Sequence, residues 1–309
     1  MKISLVFATH NGATRIPLMF DALEKLDYPF DKLEIIAVDN NSTDSTVDIL
    51  QSYQENLPLT ILSEKTAGKS FAMNTGLDRV SLDTDLVILT DDDVIADPDW
   101  LNAYVRCADK CADYNIFGGE IRPYWEQEPK AWVLDWVNLS MVFAINEGTV
   151  RGEINPEMVF GPNSAFRSSI FTEDKVRFPT NVGPKSGGRY PMGNDTALAQ
   201  LLAKQGHKAW QVEDAIVSHI IPMRNLDEMW ILRRYERYGW GRVLLHPEWF
   251  QGYDGFSFAW LKKLIKFSML CAVYYIARYA PRSHMRFNCL QSYYYEKGLI
   301  RGLLKGKSR

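Results

Sequence analysis

Asp85-Leu86-Val87-Ile88-Leu89-Thr90-Asp91-Asp92-Asp93 decides how the chain is read. The apolar run predicts a short buried strand, so that three carboxylates emerge together at its C-terminal end. In open α/β sheets that end is where ligands bind. Three adjacent carboxylates repel one another unless a cation or hydrogen-bond donors compensate them. Hard oxygens of this kind suit Mg2+ or Mn2+, above all when the metal also holds a diphosphate. A solvated acidic turn capping the next helix is the plainer alternative, but Asp97-Pro98 already fills that role, with Pro98 at the first helical position.

The residues before this strand repeat its design. Short β-rich runs at 3–8, 33–39, 59–63 and 85–90 alternate with helical patterns at roughly 14–26, 43–55 and 69–80. That rhythm predicts a mainly parallel sheet with helices on both faces. From about 113 to 190 the pattern is irregular and rich in Trp, Gly and Pro, with strands expected at Asn115–Ile121 and near 158–166, and a short helix near 130–140. A helix from about 194 to 205 ends at Gly206, strands follow near 208–212 and 215–220, and helices are expected over Trp230–Leu245, Phe258–Tyr279 and Phe287–Leu304. No internal repeat or low-complexity stretch is visible.

The 309 residues suffice for a large core, and 46% hydrophobic with 24% charged residues is ordinary for a folded soluble protein. The net charge of −3 hides an asymmetry: from Trp260 onward eleven Lys/Arg face one acid, Glu296. A basic tail on an acidic body suggests attraction to a polyanion, such as an anionic membrane surface or a nucleic acid. The longest uncharged window of the tail, Phe267 to Ala277, is far shorter than the roughly 18–20 residues a membrane span needs. Trp260-Leu261-Lys262-Lys263-Leu264-Ile265-Lys266-Phe267 instead suits an interfacial helix, or a core helix whose lysines are its wet face. Cys107, Cys111, Cys271 and Cys289 form no C-x-x-C pair, which fits a reducing compartment. The apolar run 3–8 is too short for a signal-peptide core, so a cytoplasmic protein is expected, with peripheral contact at the cytoplasmic face of a membrane.

Several further residues stand where chemistry is done. Asp39, in Val38-Asp39-Asn40-Asn41-Ser42-Thr43-Asp44, ends the second strand, where it can accept hydrogen bonds from a nucleobase or ribose or cap the next helix. Thr66-Ala67-Gly68-Lys69-Ser70 lacks the upstream glycine of a phosphate-binding P-loop, since position 63 is Ser63; Lys69 remains a candidate phosphate or substrate contact. Asp195 opens a helix after Met192-Gly193-Asn194, as a cap or as a general base. His219 is a partly buried histidine or a metal ligand, and Arg224, Arg233 and Arg234 are surface charges or a diphosphate grip. Tyr124, Trp125, Trp132 and Trp136 could stack on sugar rings or pack a core.

From Lys2 to about Tyr238 the chain resembles the family-2 glycosyltransferases, which have the GT-A fold. Five stretches carry the resemblance: Ser4–Gly12; Val38–Asp44; Gly68-Lys69-Ser70-Phe71-Ala72-Met73-Asn74-Thr75-Gly76; Leu89–Asp93 with Pro98-Asp99-Trp100-Leu101; and Gly161–Arg167 with Gly193-Asn194-Asp195. The resemblance implies a mainly parallel but mixed sheet flanked by helices, as a catalytic domain over 1–225 (nucleotide-sugar half about 1–112, acceptor half about 113–225), with a basic, aromatic-rich helical extension over 226–309. It implies a nucleotide-sugar site formed by Thr9, Asn11, Asp39, Asn41, Lys69, Asn74, Asp91, Asp92 and Arg224. It places a divalent metal, Mn2+ or Mg2+, on Asp93 with His219 as a further ligand, and makes Asp195 the catalytic base. Asn194 departs from the family's Glu-Asp pattern.

The implied reaction is inverting and metal-dependent, with a nucleotide-sugar donor (UDP favoured) and a saccharide or lipid-linked saccharide acceptor; no nucleic acid partner is expected. Arg233-Arg234-Tyr235-Glu236-Arg237-Tyr238-Gly239-Trp240 does not match the Gln-x-x-Arg-Trp signature of processive members, so single transfers are expected. Two rivals share the scaffold. A sugar-phosphate nucleotidyltransferase would open with a glycine-rich basic loop, where Asn11-Gly12-Ala13-Thr14-Arg15 has one glycine. A non-catalytic carbohydrate- or membrane-binding protein would not need Asp39, Asp93 and Asp195 together.

Overall fold

The structure is a computed structural model that describes residues 1–185, 189–253 and 257–306. Lys307 and Arg309 of the basic tail lie outside the described residues, as do positions 186–188 of the irregular middle. β1 (Ile3–Thr9), β2 (Leu33–Asp39), β3 (Leu59–Ser63) and β4 (Leu86–Asp91) pair in parallel in the spatial order β3-β2-β1-β4. They are linked through α1 (Ile16–Leu23), α2 (Thr46–Ser52) and α3 (Lys69–Leu77). These strands are apolar at nearly every position because both faces are covered. Alternate residues point to opposite sides: Leu5, Phe7, Ile35, Ala37 and Ile88 join α1 residues Ile16, Met19 and Phe20, whereas Val6, Ile36, Val38, Val87 and Leu89 join α3 residues Ala72, Met73 and Leu77.

Beyond β4 the sheet becomes mixed. β5 (Val94–Ala96), α4 (Trp100–Lys110) and β6 (Ile116–Trp125) follow, then α5 (Ala131–Trp136), α6 (Leu139–Phe143), β7 (Gly152–Ile154), β8 (Asn163–Arg167), α7 (Ser169–Thr172), α8 (Asn194–Lys204) and β9 (Ala209–Ile221). The full order is β3-β2-β1-β4-β8-β6-β9-β5, with β7 also on β9. β8 runs antiparallel to both β4 and β6. The strand expected near 158–166 starts only at Asn163, after a 3-10 turn over Pro156–Met158. The two strands expected near 208–212 and 215–220 are one: β9 pairs with β6 throughout, but Gly119 faces Val212 and Glu120 faces Ile216, so residues 213–215 bulge out of the ladder.

A buried amide ties this mixed half together. Asn163 Oδ1 accepts from Trp100 Nε1 and Tyr104 Oη, both at 2.7 Å, while its Nδ2 donates to the carbonyls of Glu120 and Ala215, both at 2.8 Å. Four polar groups from α4, β6 and β9 are thereby satisfied by one side chain that is fully buried.

The chain divides into two compact units. One comprises residues 1–126, 143–181 and 194–221 and holds the whole sheet; the other comprises 127–142, 182–193 and 222–309. The second unit is built on α9 (Glu228–Leu245), α10 (Phe258–Ala277) and α11 (His284–Gly306). Asp227 and Ser257 cap α9 and α10 by accepting from the backbone N–H groups of Trp230 (3.0 Å) and Trp260 (3.2 Å). α9 and α11 approach until backbones touch: a Cβ on Gly298 would lie 2.0 Å from the Glu236 carbonyl oxygen. Trp132 and Trp136 pack on Phe287, at 5.7 and 6.3 Å between ring centres, as core residues of this unit.

Three glutamates, Glu236 and Glu296 buried and Glu228 half-buried, each draw two cations: Glu228 with Arg282 and Arg286, Glu236 with Lys297 and Arg301, and Glu296 with Lys263 and Lys266. Six of the tail's basic residues are thus spent inside the unit rather than held as a uniform basic surface. No helix among the described residues is long and apolar enough to cross a membrane.

Candidate active site

The parallel register brings the strand ends together. Thr9 lies beside Asp39, and Ala8 beside Asp91, so the C-terminal edge of β1, β2 and β4 carries Thr9, Asp39 and the acidic triplet in one row. The repulsion expected among the three aspartates is relieved by a separate basic partner for each. Asp91 pairs with Lys69, the first residue of α3. Asp92 is buried and accepts from Thr9 Oγ1 at 2.6 Å and from the Arg15 guanidinium at 2.8 Å. Asp93 faces His219 Nε2 at 3.4 Å. The last pairing follows from β5, which runs antiparallel to β9 with Val94 opposite His219, and from the Ile220 N–H donating to the Asp93 carbonyl at 2.8 Å.

Burial and charge pull these groups in different directions. Burial opposes the charged Lys69 ammonium, yet Asp195 and Asp91 raise its pKa well above the ordinary lysine value. Burial dominates at Asp92 and pushes its carboxyl up against the pull of Arg15. Burial also opposes ionisation of Asp93, but His219, Arg15 and Lys69 hold it below the usual carboxylate range. His219 shows the counterpart: burial disfavours the imidazolium, and Asp93 outweighs it and raises the pKa.

His219 Nδ1 lies 2.7 Å from the Phe143 carbonyl oxygen, which can only accept, so Nδ1 carries a proton and Nε2 is turned to Asp93. Asp93 Oδ1 is buried and accepts no hydrogen bond among the described residues. A carboxylate oxygen and an imidazole nitrogen facing each other suit either a proton or a cation. No group of three or more His, Cys, Asp or Glu among the described residues is placed to hold a metal. A divalent ion here would therefore take two protein donors and complete its shell with ligand and water oxygens, a common arrangement for Mg2+ at phosphates.

Asp195, the second residue of α8, enters the same neighbourhood from the far side. It lines a small cleft with Lys69, Asp91, Gly161 and Ser164. Its Oδ1 accepts from Asn194 Nδ2 at 2.9 Å, and its carboxyl group lies on the backbone of Gly161, where a Cβ would sit 2.4 Å away. Asn194 itself is buried, so the amide that stands where a glutamate was expected is used to orient Asp195.

The other candidates build the loops around this row. Asn11, in a left-handed conformation (φ 51°), accepts from the Thr43 N–H at 2.8 Å and straps the β1–α1 loop to the β2–α2 loop; Asn41 (φ 62°) is exposed in the second of these loops. Asp39 is buried and accepts from the Ser42 N–H at 3.2 Å. Asn74 donates to and accepts from the Phe178 backbone at 3.0 and 2.8 Å. Arg224 is exposed on the turn Met223–Leu226, in the second unit, and is not described with this cluster.

Two contributors were not picked out from sequence. Arg15 gave no local signal because its partner is 77 residues away. Asn40 accepts from the Gly68 N–H at 2.8 Å and donates to the Glu64 and Thr66 carbonyls, bracing the loop that delivers Lys69.

The family model for "Glycosyl transferase family 2" matches residues 4–173. A poly(ribitol-phosphate) beta-glucosyltransferase of Bacillus spizizenii is 26% identical over 192 residues, 59% of this chain; the chain spans only 27% of that relative's length, although it spans 79% of a glucosyl-dolichyl phosphate glucuronosyltransferase of Haloferax volcanii to which it is 23% identical. Among solved structures, S. aureus TarS 1-349 in complex with UDP-GlcNAc superposes with a TM-score of 0.57 at 15% identity, covering 100% of this chain and 91% of that one. The mannosyltransferase PcManGT from Pyrobaculum calidifontis, in complex with GDP-Man and Mn2+, gives a TM-score of 0.63 at 21% identity over 98% of this chain and 87% of that one. These structures share the fold.

Proposed function

The chain belongs to glycosyl transferase family 2, and from that premise we propose that it is an inverting, metal-dependent, non-processive transferase. It moves a sugar from a nucleotide-sugar to the hydroxyl group of a saccharide or lipid-linked saccharide. The observation that carries this reading is Asp195 in one cleft with Lys69 and Asp91, on the strand edge that also holds Thr9 and Asp39. Residues 1–225 form the catalytic domain in this reading, with the donor half over about 1–112. UDP is the favoured nucleotide; the TarS complex holds UDP-GlcNAc, and the GDP-Man complex of PcManGT keeps GDP in the comparison. The poly(ribitol-phosphate) named for the Bacillus relative is a polyol polymer, which supports a polymer-borne hydroxyl group as acceptor. The four free cysteines fit a cytoplasmic site of action.

Asp39 accepts the nucleobase N–H, and Thr9 and Asp91 border the base and ribose. Lys69 neutralises Asp91 and places positive charge beside the diphosphate. Asp93 and His219 would hold a divalent cation, which when bound supplies the positive charge a departing diphosphate requires. Asp195 takes the proton of the acceptor hydroxyl as that oxygen attacks the anomeric carbon from the side opposite the leaving group. A single displacement of this kind inverts the anomeric configuration. The Asp195 carboxylate is within electrostatic reach of the Lys69 ammonium, whose pKa it raises.

Calorimetry with UDP, GDP and dTDP, with and without Mn2+, tests the donor site on wild type and Asp93→Ala. Metal-dependent binding of one nucleotide, lost in Asp93→Ala, is expected. No binding of any nucleotide would sink the reading, as would pyrophosphate release from a nucleoside triphosphate. Asp195→Asn should abolish transfer and leave nucleotide affinity within a few-fold; equal loss of both would remove its role as base.

A further inference from the structure

Helix α10 has two apolar sides, and among the described residues only one of them is covered. Trp260 packs with Val243, Leu299 and Leu303, Lys263 reaches Glu296, and Phe267 and Tyr274 stack on Tyr293 at 5.6 and 4.3 Å. Positions 260, 263, 267, 274 and 277 therefore form the inner face. At 3.6 residues per turn, Phe258, Leu261, Ile265, Met269, Ala272 and Ile276 fall within about 40° of one line on the outer side, running roughly 27 Å along the helix. All six are exposed, Met269 by 66% and Ile276 by 74%, where Trp260 is exposed by 9%. An unbroken stripe of this length exceeds what scattered surface apolar residues need explaining. The lysines that the sequence offered as the wet face are divided: Lys263 is drawn inward, and the middle of the solvent side carries no charge at all.

The surrounding charge chooses the occupant. Lys262 flanks the stripe at one end and Arg278 at the other, with Lys262 over the Phe258 ring at 4.4 Å and Arg278 over the Tyr279 ring at 4.4 Å. No acid occurs between Phe258 and Tyr279, and the single acid beyond, Glu296, is buried between two lysines. A second copy of the same face would set cations against cations. An anionic lipid surface meets both features, since the headgroups pair with the flanking cations and the acyl boundary receives the aliphatic stripe. We propose that the outer face of α10 docks the protein in the plane of an anionic membrane surface. This inference is independent of the transferase reading, because it uses no residue of the strand edge.

The test is flotation of the full chain with phosphatidylcholine vesicles containing phosphatidylglycerol, and with phosphatidylcholine vesicles alone. Wild type should float with the anionic vesicles and more weakly with the neutral ones. The double variant Ile265→Glu/Ile276→Glu should lose at least about tenfold in the bound fraction, with an unchanged melting temperature because both side chains are exposed. Lys262→Gln/Arg278→Gln should lose the preference for anionic lipid. Wild type left unbound by anionic vesicles would overturn the proposal. So would a dimer, seen by light scattering, that Ile265→Glu/Ile276→Glu converts to monomer.

Discussion

Gly161→Ala is the smallest change that tests the reading of Asp195. Gly161 does not sit in the left-handed region, so alanine meets no backbone strain there, and the whole effect is steric. The added methyl would lie 2.4 Å from both Cγ and Oδ2 of Asp195 and 2.7 Å from Oδ1. Nonbonded carbon contacts are comfortable at about 3.5 Å, so the carboxylate or the loop must move by roughly 1 Å. A misplacement of that size in a catalytic group costs about 100-fold in rate, and overpacking of this kind costs about 1–3 kcal/mol in stability. The assay is steady-state transfer with the nucleotide-sugar identified by calorimetry, alongside nucleotide affinity and thermal unfolding. kcat should fall by about two orders of magnitude, with nucleotide affinity within a few-fold because β1 and β2 are untouched. Adding Asp195→Ala should restore the lost stability but no activity. A kcat within about threefold of wild type for Gly161→Ala alone would refute the placement of the base.

Two further changes probe the supports of the site. Arg15→Met leaves Asp92 buried with only the Thr9 hydroxyl as partner, and should destabilise the protein by about 3 kcal/mol in urea unfolding; an unchanged midpoint would mean that Asp92 is neutral already. Asn163→Leu orphans the donors of Trp100 and Tyr104 and the carbonyls of Glu120 and Ala215, and a loss on the order of 4 kcal/mol or more is expected by the same measurement.

Glu296 carries the pH test. Burial opposes its charge, but Lys263 and Lys266 prevail and hold its pKa below the ordinary glutamate value. A depressed acid stabilises the fold fully above the unfolded pKa and loses that contribution as pH falls through the folded one. Glu296→Gln should therefore be less stable than wild type near pH 7 by about 1–3 kcal/mol, with the gap closing in acid once the pH falls below the ordinary glutamate range. A gap that is the same at both pH values would count against the ion cluster.

The sequence by itself determined the parallel half of the molecule. Its strands are local runs buried on both faces, and alternation within Leu5-Val6-Phe7 or Val87-Ile88-Leu89 specifies two cores without reference to anything distant. It also determined that Asp39 and the Asp91–Asp93 triplet end strands, and so share one edge. Tertiary structure alone decided how those charges are borne. Lys69 is 22 residues from Asp91 and Arg15 is 77 from Asp92, and His219 arrives only because β9 runs beside β5.

β5 and β7, at three residues each, are too short to show a period. The antiparallel entry of β8 between β4 and β6 depends on Asn163 finding partners on three elements. In α10 the sequence specified a helix with apolar residues in every sector and lysines only in its first half. Which side is covered was fixed by Glu296 and Tyr293 of another helix, because local pattern sets conformation while burial is a property of the neighbours.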